Sequence, residues 1–252
     1  RDYYASRGLG DVYKRQHMHT IASGHAYNTI DEMTRSAADK GFTHIAITEH
    51  TPKMPGSCAE MYFHNLQSLR HEKMGVYRLF GAELNIMDFK GSVDLPERVY
   101  KELDITIASF HTPCIKSGTR EQNTAALISV IKNPWINIVG HPDDGRYPVD
   151  MEAVVKAAKE NNTLLELNNA SLKPAGPRPG TWENDRKMLE LCKRYKAHIT
   201  ISSDAHIEED IGNFQYALQL IEEMDFPESL IAGTDYDKLV GFLNIGKSGN
   251  NE

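Results

Sequence analysis

Short apolar runs alternate with amphipathic stretches along most of the chain. The apolar runs Phe42–Thr48, Tyr77–Leu84, Asp104–Phe110, Trp135–Gly140, Thr163–Leu167 and His198–Ser203 predict strands. Helical periodicity lies between them, at about Asp31–Lys40, Glu121–Lys132, Met151–Asn161, Trp182–Tyr195 and Asn213–Met224. Gly41 follows the first of these as a natural helix stop, and Asp150 stands where it can cap the third. Strand and helix in alternation signal βα units and a mainly parallel sheet. Lys173–Gly180, with three prolines, reads as a loop after a strand, and Lys247–Glu252 reads as a polar, frayed tail. No linker, low-complexity segment or repeat divides residues 17–246, which read as one domain. Arg1–Gln16 fits this pattern poorly: no strand alternation is visible before Val12–Tyr13, and the segment reads equally as foreign sequence or as a native first strand.

The 252 residues lie within the range of one α/β barrel and can bury a substantial core. Three widely spaced cysteines form no CxxC pair, which argues against a disulfide framework or a thiolate zinc site and for reduced thiols in a cytoplasmic protein. No apolar run approaches the roughly 20 residues of a membrane helix. A net charge of −7 without a basic stripe disfavours an extended nucleic-acid surface. It does not disfavour a small anionic substrate, because bound metals can reverse the field inside a pocket.

The placement of the histidines changes the picture more than their number. His17 and His19 lie two apart, so in an extended segment both project from one face. His50 follows the run ending at Ile47, in Thr48-Glu49-His50, and Glu83 closes the run Val76–Ala82. His111 follows Phe110, His141 follows Gly140, and Asp204-Ala-His206 follows Ser203. Each alone is most simply a hydrogen-bonded or partly exposed side chain, an ion-pair partner or a helix cap. Five strands delivering His, Glu or Asp to the same edge point instead to a shared metal site, at the end of the sheet where α/β proteins place their chemistry. His25 lies in the loop after the HxH pair and can reach that rim. His44, within a strand, His64 and His71, in a polar connection, and His198, at a strand start, are assigned no role.

At these residues the chain resembles the PHP (polymerase and histidinol phosphatase) family, and within it the small stand-alone, YcdX-like phosphatases. The resembling segments are His17-Met-His-Thr20, Ser23-Gly-His-Ala-Tyr27, Ala46-Ile-Thr-Glu-His50, Gly81-Ala-Glu83, Ala108-Ser-Phe-His111, Gly140-His-Pro142, Leu165-Glu-Leu-Asn-Asn169 and Ser202-Ser-Asp-Ala-His206. The resemblance implies a distorted seven-stranded (β/α) TIM-like barrel with three metals. His17, His19, Glu83 and Asp204 would hold one cation. Glu83 would bridge to a second, completed by His111 and His141, and His25, His50 and His206 would hold a third. The family begins its first motif with Asp-x-His-x-His, whereas Arg15-Gln16 stand before His17 here, so the placement of the HxH pair loses a supporting carboxylate.

Seven neutral imidazoles and two carboxylates around three divalent cations would leave the inner shell near +4 before water ionises, suited to a phosphate monoester dianion. Such a site implies hydroxide at neutral pH attacking phosphorus in line beside the Glu83-linked ions, with Glu83, Asp204, His111 and His141 as the core of the catalytic set. The ligand types fit zinc, which the resemblance favours, as well as manganese or iron. Asn168, Asn169, Arg146 and Lys173 are secondary candidates to meet substrate or a ligand, with Thr20, Ser23 and Ser203 as outer donors. The partner implied is a small phosphorylated substrate, and a homo-oligomer is compatible with the composition. The alternatives are a PHP-type phosphodiesterase or exonuclease, a histidinol-phosphate phosphatase, an amidohydrolase and a non-enzymatic metal-binding module. An amidohydrolase would place a lysine where Glu83 stands.

Overall fold

A parallel sheet covered on both faces needs apolar side chains in both directions along each strand. In the computed structural model, which describes residues 17–174 and 176–247, the six apolar runs supply these strands. The element order is α1 (Ile30–Asp39), β1 (His44–His50), α2 (Glu60–Asn65), β2 (Glu72–Lys73), β3 (Val76–Asn85), α3 (Glu97–Tyr100) and β4 (Ile105–Ser109). It continues with α4 (Arg120–Ile131), β5 (Ile138–Val139), α5 (Met151–Asn161), β6 (Leu164–Asn168), α6 (Thr181–Tyr195), β7 (Ile199–Ser202), α7 (Gln215–Glu223) and α8 (Tyr236–Val240). The sheet runs β1-β3-β4-β5-β6-β7, all parallel, with β2 added antiparallel on β3.

The helices start and stop as the sequence directs. Thr29 and Glu32 form a capping box on α1, as Thr119 and Gln122 do on α4, and the Asp150 side chain caps α5 by accepting from the Ala153 N–H. Gly41, at φ +79°, turns the chain out of α1.

The expected ring of seven βα staves is revised. The seventh strand is β2, a two-residue appendage, and Val12–Tyr13 lies outside the described residues. Among the described residues, Met18 links the two edges of the sheet: its carbonyl accepts the Thr48 N–H at 2.9 Å, and the neighbouring His19 N–H donates to the Ala205 carbonyl at 2.9 Å. The sheet therefore curls, but among the described residues it is not a fully closed barrel. Among the described residues, one residue supplies the ladder at the rim.

Two apolar clusters sit on either side of this sheet. Ala46, Leu79, Ile105, Ile107, Ile138 and Leu164 fill the inner face, closed below by Ala232, Leu239, Phe242 and Leu243. The alternate residues, including Ile45, Ile47, Phe80, Ala82, Leu84 and Ala108, pack outward in a larger core with helix residues such as Met33, Leu127, Val154 and Met188. The inner face changes character along its length. Period-two alternation continues Leu79 through Gly81 to Glu83 and Asn85, and Ile105 and Ile107 through Ser109 to His111. The interior is thus apolar at its floor and polar at the C-terminal rim.

Candidate metal centre

Glu83 lies at the middle of the rim and is fully buried. Its two carboxylate oxygens face different imidazoles. Oε2 lies 3.4 Å from His17 Nε2, 3.5 Å from His19 Nε2 and 2.7 Å from His50 Nδ1. Oε1 lies 3.2 Å from His111 Nε2 and 3.1 Å from His141 Nε2. Asp204 Oδ1 completes the first side, 3.6 Å from His17 Nε2 and 3.4 Å from His19 Nε2. Two groups centred on Glu83 have ligand atoms within 4.8 Å of one another: His17 with His19, and His50 with His111. A third group joins His19, His50 and His206. His25 is exposed and meets this third group at its outer side, with its Nε2 3.1 Å from His206 Nε2 and its ring centroid 4.8 Å from that of His50. All nine residues singled out in the sequence come to one rim.

Two of them hold strained backbone. His141 has φ +30° and Asp204 φ +49°, in a region that side chains disfavour. Each sits where the chain leaves a strand and must turn its side chain inward. Gly140 permits the first turn: a Cβ there would stand 2.2 Å from Ser109 Oγ.

Outer partners aim the rings. His17 Nδ1 is 2.6 Å from Glu166 Oε1, His111 Nδ1 is 2.6 Å from Asn85 Oδ1, and His19 Nδ1 is 3.0 Å from Ser23 Oγ. The Ser23 hydroxyl donates to buried Glu49, which also accepts the Thr20 N–H at 3.0 Å. With their Nδ1 atoms engaged away from the rim, these three rings present Nε2 inward. Glu166 and Glu49 carry no assignment in the sequence reading. Their signal is visible in retrospect: each is an acidic residue inside an apolar strand, where only a partnered charge is tolerated.

Burial lowers the His17 pKa, but the carboxylates of Glu166, Glu83 and Asp204 outweigh it and hold the imidazole well above its ordinary value. Burial and the neighbouring imidazoles of His50 and His206 push His19 well below it, and burial takes His111 down to about 4. Burial would raise Glu83, yet the imidazoles of His111, His17 and His50 hold it well below the usual carboxylate range. His19 and His111 thus offer neutral imidazole lone pairs beside the ionised Glu83 carboxylate. His50 Nδ1, Glu83 Oε2 and His111 Nε2 are buried without a hydrogen bond of acceptable geometry, although they lie close together. Donors that approach but do not pair suit a cation between them, and nitrogen and oxygen donors without thiolate suit zinc, manganese or iron.

The secondary candidates divide. Asn168 Nδ2 donates to Asp204 Oδ2 at 3.1 Å, within the site, whereas Asn169 Oδ1 accepts the Tyr216 and Ala217 N–H groups and serves α7. Arg146 is engaged by Asp144 at 2.7 Å and Lys173 by Asp210 at 2.8 Å, so the two loop cations are held in local ion pairs. Ser203 Oγ is buried and makes no hydrogen bond among the described residues. His64 pairs with Glu60 and His71 with Asp104, while the rings of His44 and His198 lie against Tyr236 and Phe242, none of them at the rim. The cation that does reach the site is Arg178, from the proline-containing loop. Its Nη1 donates to Ser171 Oγ at 3.0 Å and its Nη2 lies 3.5 Å from Asp204 Oδ2. A loop arginine beside two prolines looks solvent-facing in sequence, and nothing local distinguished it.

A parallel α/β sheet carrying on its C-terminal rim a histidine–carboxylate cluster that could hold metal ions places the chain in the α/β class. The family model of the PHP domain matches residues 16–233, and the chain belongs to that family. Among curated relatives it is 47% identical over 229 residues to a probable phosphatase of Caldicellulosiruptor saccharolyticus, covering 91% of this chain and 95% of the relative. It is 44% identical over 227 residues to a probable phosphatase of Clostridium novyi, covering 90% and 92%. Among solved structures, the histidinol phosphate phosphatase of Lactococcus lactis, crystallised with zinc, L-histidinol and phosphate, superposes with a TM-score of 0.59 at 21% identity, covering 85% of this chain and 94% of that one. The putative histidinol phosphatase of Listeria monocytogenes gives a TM-score of 0.56 at 15% identity, covering 81% and 99%. At these identities the structures establish shared fold.

Proposed function

We propose that residues 17–246 form a metal-dependent phosphoesterase domain that hydrolyses small phosphate monoesters. The observation that carries this reading is Glu83, whose two oxygens face separate imidazole sets at one buried rim. His17, His19, Glu83 and Asp204 would hold one cation, Glu83, His111 and His141 a second, and His25, His50 and His206 a third. Zinc is the proposed ion, with manganese and iron compatible. When bound, such ions neutralise phosphate charge and activate water for attack on phosphorus.

The protein's own part is orientation. Asn85, Glu166 and the Ser23–Glu49 pair fix three rings, and Asn168 and Arg178 flank Asp204. Arg178 is the proposed contact for a phosphate oxygen, because its side chain is 13% exposed and its weak 3.5 Å approach to Asp204 leaves donor capacity toward the rim.

The names of the curated relatives support the phosphatase reading, and the placement of Glu83 at the bridge supports it over an amidohydrolase. The test is a panel of p-nitrophenyl phosphate, phosphorylated metabolites including histidinol phosphate, and single-stranded oligonucleotides, run on protein of measured metal content. Turnover of monoesters well above oligonucleotides is expected. Hydrolysis of amides or lactones with none of phosphomonoesters would overturn the reading.

A further inference from the structure

Glu166 stands on β6 with no solvent exposure, and both its oxygens are engaged by donors from separate parts of the sheet. Oε1 meets His17 Nδ1 at 2.6 Å and accepts from the Ser202 hydroxyl on β7. Oε2 accepts the backbone N–H of His141 at 2.8 Å and the Asn168 amide at 3.1 Å. His17 faces Glu83 Oε2 and Asp204, whereas His141 faces Glu83 Oε1, so these two rings belong to different sides of the proposed centre.

We infer that Glu166 is a positioning residue shared by two metal positions, which fixes the His17 tautomer with one oxygen and the His141 backbone with the other. A carboxylate only accepts, so His17 carries a proton on the Nδ1 that meets Glu166, which leaves Nε2, on the Glu83 and Asp204 side, as the nitrogen that would bind a cation. The second contact acts on geometry. His141 turns inward at φ +30°, and the hydrogen bond from its N–H holds that unfavourable conformation.

This inference rests on the metal-site reading and not on the reaction. Glu166→Gln keeps the volume but cannot accept at all four contacts, which frees His17 to carry its proton on Nε2. The expected result is zinc affinity weakened about 10–100-fold at the Glu83-linked positions, measured by chelator competition with metal analysis on the full chain. Binding of the same number of ions, each within about threefold of the parent, would overturn the inference. A second measurement needs no variant: in the zinc-loaded protein, long-range proton–nitrogen spectra should place the His17 proton on Nδ1, and a proton on Nε2 overturns the inference even if the variant does not fold. Normal metal binding and the expected tautomer without monoester turnover would sink the phosphatase reading while leaving the role of Glu166 standing.

Discussion

Asp185→Asn should stabilise the protein, and by an amount that grows with pH. Asp185 lies on α6 with no exposure, and neither carboxylate oxygen has a hydrogen-bond partner among the described residues. Burial, joined by the charges of Asp143 and Glu166, raises its pKa well above the ordinary carboxylate value, with Arg178 only partly opposing them. A carboxyl whose folded pKa is raised contributes its full stability below the unfolded value of about 3.9 and loses it as pH rises to the folded value. Within that window each pH unit costs the parent about 1.4 kcal/mol that the asparagine variant does not lose. Two pH units amount to about 2.7 kcal/mol, or roughly 5–11 °C in Tm for a chain of this size. Asp143, itself pushed up to about 6 chiefly by burial, is one of the charges that raise Asp185, so the curve will be broader than that of one isolated group. Denaturant unfolding of both proteins from pH 4 to pH 8 measures the difference, in which the histidines common to both cancel. A difference that stays flat across this range, or that falls as pH rises, refutes the reasoning.

His111→Ala and Asp204→Ala should each lower turnover by more than the roughly 10–100-fold typical of an outer-sphere change, with far-UV circular dichroism unchanged; near-parental rates at full metal loading would contradict the assignment. Arg178→Met should lower kcat/KM for phosphomonoesters about 10–150-fold, corresponding to a charged hydrogen bond of about 1.5–3 kcal/mol, and unchanged steady-state kinetics would remove Arg178 from the site. Dialysis against a chelator should abolish activity, and zinc, manganese or iron should restore it; full activity at negligible metal content would exclude the proposed chemistry.

The strands were legible because each apolar run is buried on both sides, and the rim was legible because polar residues break those runs at one end. The boundaries moved where side chains replaced backbone. Trp135–Gly140 looks like a six-residue strand, yet only Ile138–Val139 forms one: the Asn137 and Gly140 backbones still reach Thr106, Leu164 and Ala108, but the Thr106 N–H takes the Asn137 side-chain oxygen at 2.8 Å. Thr48-Glu49-His50 continues β1 and does not follow it, since a buried Glu49 satisfied by Thr20 and Ser23 is compatible with a strand. The short helices α2, α3 and α8 carry too few residues to show a period. The incomplete closure of the sheet was not legible, because among the described residues it comes down to Met18 as a single linking residue. Residues that act on other residues were harder to find than residues at the rim. Glu166 and Arg178 become informative only when β6, β7 and the proline-containing loop are brought against His17 and Asp204.

Crystals of zinc-loaded protein measured across the zinc absorption edge test the central claim most directly. Anomalous peaks should lie on both sides of Glu83, at about 2.0–2.2 Å from its oxygens, one reached by His17, His19 and Asp204 and the other by His111 and His141. Zinc found only at surface histidines, with no peak within reach of either Glu83 oxygen, would contradict the account.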